Sequence, residues 1–145
     1  MKTAIYIGKR EAEAEKGLSE LWDELRAGGC ELSFLEDGEA PHEDTDMLLS
    51  VGGDGSFLSA SKLVAGKDIS VMGVNLGRLG FLSENRPAAV AAAMLSGEYT
   101  VESRAMLKTD VHTGNDAIDS WPYALNEFTV HRSGAAMLGV EVVLD

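Results

Sequence analysis

The residues best suited to chemistry lie between Leu48 and Ser61, LLSVGGDGSFLSAS, where a short apolar run ends abruptly in Gly52-Gly53-Asp54-Gly55. Leu48, Leu49 and Val51 read as a buried strand, and three glycines in four positions allow a sharp turn and close approach to a ligand. Successive backbone N–H groups in such a turn form an anion-binding concavity, to which the following helix adds its positive end. That suits phosphate. The carboxylate among the glycines, Asp54, would repel a phosphate if it did nothing else, so its placement points to a base or a metal-linked group. On spacing alone, a tight glycine turn with a surface aspartate is the competing reading.

The elements that must hold this turn alternate along the front of the chain. Ala4 to Gly8 reads as a first strand with Ile5 and Ile7 on one face. A helix over Glu11–Ala27 follows, its stripe Ala14, Leu18, Leu21, Trp22 and Leu25 spaced by threes and fours, its acids Glu11, Glu13 and Glu15 a solvated first turn, and Gly28-Gly29 its stop. Glu31–Leu35 is a second strand, 36–46 a loop, Asp46–Val51 the strand feeding the glycine turn, and Ser56–Ala65 the helix after it. Ile69–Val74 is a further strand running into a second glycine-punctuated loop, Asn75-Leu76-Gly77-Arg78-Leu79-Gly80-Phe81-Leu82, before a helix at Pro87–Ser96 that Gly97 ends, with Val90, Ala91, Met94 and Leu95 on one face. This alternation predicts an α/β fold, a mostly parallel Rossmann-like sheet with flanking helices. In such sheets ligands bind beyond the carboxyl ends of strands, where both glycine loops start, so the two can converge on one crevice.

After about Tyr99 the pattern changes. Tyr99–His112, Tyr123–His131 and Leu138–Leu144 read as strands without intervening helices, joined by turns such as Gly114-Asn115-Asp116. The expected organisation is a nucleotide-binding domain over 1–98 and the beginning of a β-rich, antiparallel second domain over 99–145. A final strand, GVEVVLD, with an unpaired apolar edge predicts that the chain is the front part of a longer protein.

Bulk properties narrow the class of partner. A net charge of −12 argues against nucleic acid and against an anionic membrane surface. The acidity is concentrated up to Asp46, with thirteen acids against five bases, leaving eleven against seven around and after the glycine turn. One cysteine, Cys30, precludes an intramolecular disulfide; with no secretory leader and no apolar run of membrane-spanning length, the chain reads as cytoplasmic. His42, His112 and His131 are too scattered to form a metal site by spacing, and Met106 and Met137 read as core. Arg78, Lys108 and Arg132 could meet phosphates, Arg78 with the best case because it lies in the second glycine loop.

Three segments in register, Gly52-Gly53-Asp54-Gly55-Ser56, Asn75 to Leu82 and Asn126-Glu127 within ALNEFTVHR, make the whole chain resemble the NAD kinase family. The resemblance implies transfer of the ATP γ-phosphate to the 2′-hydroxyl of the adenosine ribose of NAD, giving NADP, with a divalent metal, magnesium, as cofactor. It makes Asp54 the base that takes the hydroxyl proton and places Gly52, Gly53, Gly55 and Ser56 against the nucleotide. It also has Asn126 and Glu127 contacting NAD, with Asn75 and Gly77 shaping the same crevice. Ser56 stands where Thr is frequent, and the family's Gly/Ser/Thr-rich motif of the GSTAY type has no counterpart before Asp145. The implied consequence is a homo-oligomeric parent enzyme, dimer or tetramer, and a chain that by itself turns over poorly or not at all. A diacylglycerol-type lipid kinase or a phosphofructokinase would share the GGDG turn without the other two segments, and a non-catalytic nucleotide-binding regulatory module is the alternative outside enzymes.

Overall fold

The computed structural model describes residues 1–8, 16–36, 38–78, 80–110, 122–132 and 134–143. The chain divides into two compact units, Met1–Glu102 and Ser103–Asp145. The first holds β1 (Lys2–Ile7), α1 (Lys16–Ala27), β2 (Glu31–Phe34), β3 (Met47–Val51), α2 (Asp54–Leu63), β4 (Ser70–Val74) and α3 (Pro87–Ser96).

Every strand pairing in this unit is parallel, in the order β2-β1-β3-β4. Burial explains why. β3 is buried at all five positions, which is what a central strand covered on both faces requires. Alternation sorts the side chains: Ile5, Met47, Leu49, Val51 and Val74 pack with α1 and α3 residues Leu18, Leu21, Leu25, Val90, Ala91 and Met94. On the opposite face Ala4 and Leu48 pack with Ala60 and Val64 of α2 and with Ile69. The result is a sheet between two helical layers, each wholly buried Leu, Ile or Val contributing about 1.5–3 kcal/mol. The described part of the stripe expected on the first helix, Leu18, Leu21, Trp22 and Leu25, is buried, with Trp22 edge-on to Phe34 of β2 at 5.5 Å between ring centres. α1 ends where Gly29 takes φ +85°, and the N–H groups of Gly29 and Cys30 close back on the carbonyls of Arg26 and Leu25.

Register decides where the glycine loops emerge. Ile7 lies opposite Val51, and Val51 opposite Val74, so three strands finish side by side. The ladder runs one residue further: Gly8 N–H donates to the Val51 carbonyl at 3.1 Å and Gly52 N–H to the Val74 carbonyl at 2.9 Å. The chain winds from β1 to β2 on one side and reaches β3 and β4 on the other. The topological switch point therefore lies between β1 and β3, at Gly8 and Gly52.

Some boundaries differ from the expected ones. The helix after the glycine turn begins at Asp54 rather than Ser56, because Gly53 with φ −85° and ψ −168° already serves as its extended N-cap and an acid is favoured in a first turn. Among the described residues, the expected strands of the second unit reduce to one antiparallel pair, β5 (Leu107–Lys108) with β6 (Tyr123–Ala124). Phe128, Val130, Val140, Val142 and Val143 are exposed there, and without facing residues to bury them alternation alone does not make a strand. Met106 and Met137 are exposed too, Met137 at 95%, and so are not core. Glu11, Glu13, Ala14, Glu15, His112, Gly114-Asn115-Asp116 and Leu144 lie outside the described residues. No helix among the described residues is long and apolar enough to cross a membrane.

The core supplies a paired prediction. Ser50 is wholly buried on β3 and its Oγ has no hydrogen-bond partner among the described residues. Ser50→Ala is expected to leave stability unchanged or raise it by about 1 kcal/mol, since removal of an unpaired buried hydroxyl lifts a desolvation cost. Its neighbour Leu49→Ala is expected to cost about 2–5 kcal/mol through the cavity it leaves. Urea denaturation of both variants checks the contrast.

Candidate functional site

Asp54 occupies the first turn of α2, at the end of β3 beside the switch point. Its carboxylate reaches over to the second glycine loop and accepts three backbone N–H groups. Phe81 donates to Oδ2 at 2.9 Å, while Leu82 and Ser83 donate to Oδ1 at 2.9 and 3.0 Å. The two loops thus converge, as their positions after β3 and β4 implied. The amides of Phe81, Leu82 and Ser83 hold the Asp54 carboxyl below the usual carboxylate range, against a smaller opposing effect of burial.

The second loop is built to present those amides. Asn75 is buried, and its Nδ2 donates to the carbonyls of Arg78 at 2.9 Å and Ser83 at 2.8 Å while its Oδ1 accepts from Gly77 N–H at 2.8 Å. Both Nδ2 hydrogens are therefore spent inside the loop, which gives Asn75 the work of shaping it. Ser83 Oγ donates to the Gly52 carbonyl at 2.7 Å, tying the second loop to the first. Gly80 lies so close to Asp54 that a Cβ there would overlap the carboxylate.

The glycines of the first loop divide into two kinds. Gly52 has φ +135°, and a Cβ on it would overlap the Ser56 hydroxyl, which also packs against Gly8; the fold itself requires glycine there. Gly53 and Gly55 are exposed, and a Cβ on either would meet nothing within 4 Å. Intramolecular packing gives no reason for glycine at those two positions. Bare backbone at the start of a helix gives a reason: a ligand, an anion above all, can approach the amides closely. Phe81, 93% exposed, stands beside the carboxylate its own amide binds.

Asn126 and Glu127 lie in the second unit, just after β6, and both are exposed. Arg78, Arg132 and His131 are exposed, and Lys108 Nζ lies 5.9 Å over the Tyr123 ring. His42 is a surface residue whose Nδ1 is 2.5 Å from Asp44. No group of three His, Cys, Asp or Glu able to cage a cation occurs among the described residues. Ser83 and Gly80 carry no role in the sequence reading. A small polar residue next to an apolar Gly-Phe-Leu run gives no periodic signal, and only the folded loops show what it joins.

Residues 10–99 match the family model described as the ATP-NAD kinase N-terminal domain. The chain is similar to an NAD kinase of Mycobacterium tuberculosis, 33% identical over 148 aligned positions that cover 99% of this chain and 48% of that protein. It is also similar to an NAD kinase of Methanothermobacter thermautotrophicus, 41% identical over 106 positions covering 70% of this chain and 35% of the relative. The chain thus spans less than half the length of these curated relatives. Among solved structures, an NAD kinase from Archaeoglobus fulgidus in complex with ATP superposes with a TM-score of 0.48 at 22% identity, covering 65% of this chain and 35% of that one.

The site's two kinds of glycine are expected to respond oppositely. Gly80→Ala forces its Cβ into the Asp54 carboxylate and is expected to cost about 1–3 kcal/mol, as other overpacking changes do. Gly55→Ala, in open space within a helix, is expected to add about 0.4–1 kcal/mol, with thermal unfolding as the measurement. Asp54 also sets a pH dependence. Its carboxyl is lowered in the folded chain, so its contribution to stability is present above the unfolded value of about 3.9 and is lost as pH falls through the lower folded value. Asp54→Asn, which sets an amide N–H₂ against one of the donors, is expected to flatten that acid dependence in melting curves taken between about pH 5 and pH 2.

Proposed function

This chain belongs to the ATP-NAD kinase family, and from that premise we propose that the protein it forms phosphorylates the 2′-hydroxyl of the adenosine ribose of NAD with the γ-phosphate of ATP, yielding NADP and ADP. The observation that carries the reading is Asp54: an ionised carboxylate at the sheet's switch point, oriented by three amides, next to two open glycines.

In the transfer, the 2′-oxygen forms a bond to the γ-phosphorus as the bond to the β,γ-bridging oxygen breaks, and ADP leaves with that electron pair. The hydroxyl proton goes to Asp54. A carboxylate accepts about four hydrogen bonds, two on each oxygen. Oδ1 already has two and Oδ2 one, so Oδ2 retains an acceptor position, which we assign to the ribose hydroxyl. A carboxyl held below its ordinary range is a weak base in the ground state. That is tolerable here, because phosphoryl transfer runs through a loose transition state in which the nucleophile needs orientation first and loses its proton late.

Gly53 and Gly55 supply the close approach of backbone to nucleotide, while Gly52 and Ser56 pack the turn that presents them. Asn75 and Gly77 shape the opposite loop. Asn126 and Glu127 contribute NAD contacts, the amide to a base or sugar edge and the carboxylate to ribose hydroxyls. Magnesium prefers one or two carboxylates plus substrate phosphates to an all-protein cage, so the ion would be held mainly by the ATP phosphates. When bound it would neutralise charge on the transferring group. The active protein is a homo-oligomer with both nucleotides as its small-molecule partners.

Asp54→Asn in the protein at its natural length is expected to lower NADP formation by about 10²–10⁴-fold in a coupled assay, the range of a lost general base. Turnover near that of the parent would sink the assignment. Because the Asp54 carboxyl is lowered, its protonation should leave no acid limb in kcat above about pH 5. Calorimetric binding of NAD, set against fructose 6-phosphate and diacylglycerol micelles, separates this activity from the two other GGDG kinases.

A further inference from the structure

We propose that Ser83 is a positioning residue for Asp54: its amide grips Oδ1 and its hydroxyl grips the Gly52 carbonyl, so that one residue fixes the carboxylate relative to the turn that carries it. The role deepens the reading of Asp54 as the group that meets the acceptor hydroxyl, and rests on it.

Four interactions converge on Ser83. Its N–H donates to Asp54 at 3.0 Å and its Oγ to Gly52 at 2.7 Å. Its carbonyl accepts Asn75 Nδ2 at 2.8 Å and Gly80 N–H at 3.1 Å. The residue is wholly buried, and it sits so close under β4 that a Cβ on Gly73 would come within 2.7 Å of its Cα. Backbone contact on that side leaves Ser83 no room to retreat. The next residues reinforce the placement, since the Asn85 carbonyl accepts Asn75 N–H at 2.8 Å and Asn85 pairs with Val74 as a parallel bridge.

The geometry separates the donors by task. Phe81 and Leu82 also donate to Asp54, yet Phe81 is exposed and Leu82 half-buried, and Ser83 alone of the three bonds to the glycine turn through its side chain. Without the Ser83 hydroxyl, the loop drifts from the turn and the bonds from its amides to the carboxylate lengthen. The carboxylate then loses part of its hydrogen bonding together with its direction toward the acceptor. No charged side chain among the described residues contributes to holding the Asp54 carboxyl down, so its titration reports these amides directly.

The test uses the isotopically labelled chain and follows the Asp54 side-chain carboxyl by carbon NMR through an acid titration. Ser83→Ala is expected to raise the Asp54 midpoint toward the ordinary carboxylate value and to shift the Phe81 and Leu82 amide resonances upfield. In the protein at its natural length, the same variant is expected to lower kcat by about tenfold to a hundredfold with KM for ATP unchanged. A folded Ser83→Ala chain with the parent's Asp54 midpoint and amide shifts overturns the proposal and shows a residue that only packs. Should that variant fail to fold, the unmodified chain decides: the Phe81, Leu82 and Ser83 amides must follow one common midpoint, that of Asp54, and separate midpoints overturn the proposal. Failure of the underlying reading looks different, because it appears as NADP turnover surviving in Asp54→Asn.

Discussion

The bonding of one carboxylate by three consecutive amides organises the loops at the carboxyl end of the first unit's sheet. Asp54 stands on α2, beyond β3, whereas Phe81, Leu82 and Ser83 stand beyond β4. Adjacent parallel strands bring their ends within reach, but nothing in a sheet obliges the loops that follow to touch. Charge-assisted bonds do, because they are shorter and stronger than bonds between neutral groups. Asn75 then curls the second loop from within, Ser83 ties it to Gly52, and glycine at 80 leaves room for the carboxylate to arrive.

That arrangement resolves the oddity of an acid in a turn whose glycines suit an anion. A free carboxylate there would repel anions. Three amide dipoles pointed at it offset much of its field while leaving it ionised, and Gly53 and Gly55 keep the neighbouring backbone bare. The same bonds weaken Asp54 as a base. A fixed direction is what the carboxylate gains in exchange, and for the proposed transfer direction matters more than basicity, since its transition state is loose.

The fold's contribution is alignment. The sheet ends in register at Ile7, Val51 and Val74, and both faces are sealed by apolar side chains from three helices. A core of this kind cannot slide, since a slip of one residue would turn every inward side chain outward. The three loop origins are consequently held at fixed spacing, and loops of only a few residues can be specific.

Much of this was written locally. The apolar run of β3, the stripe Leu18, Leu21, Trp22 and Leu25, and the span Pro87–Ser96 declare themselves because burial imposes a period on neighbouring residues. The GGDG turn and its standing beside a strand end are legible for the same reason. In the second unit the antiparallel pairing expected there is present between β5 and β6, whereas the alternating valines after residue 138 form no strand among the described residues, because a strand needs a partner that period alone does not supply. The local pattern of the chain was enough for the parallel α/β class and for the place of Asp54 in a glycine turn at a strand end. Tertiary structure alone decided that Asp54 is held by amides from 27 to 29 residues away, that Asn75 serves its own loop, and that Ser83 joins the two, because such bonds depend on which strands lie side by side and leave no period in the chain.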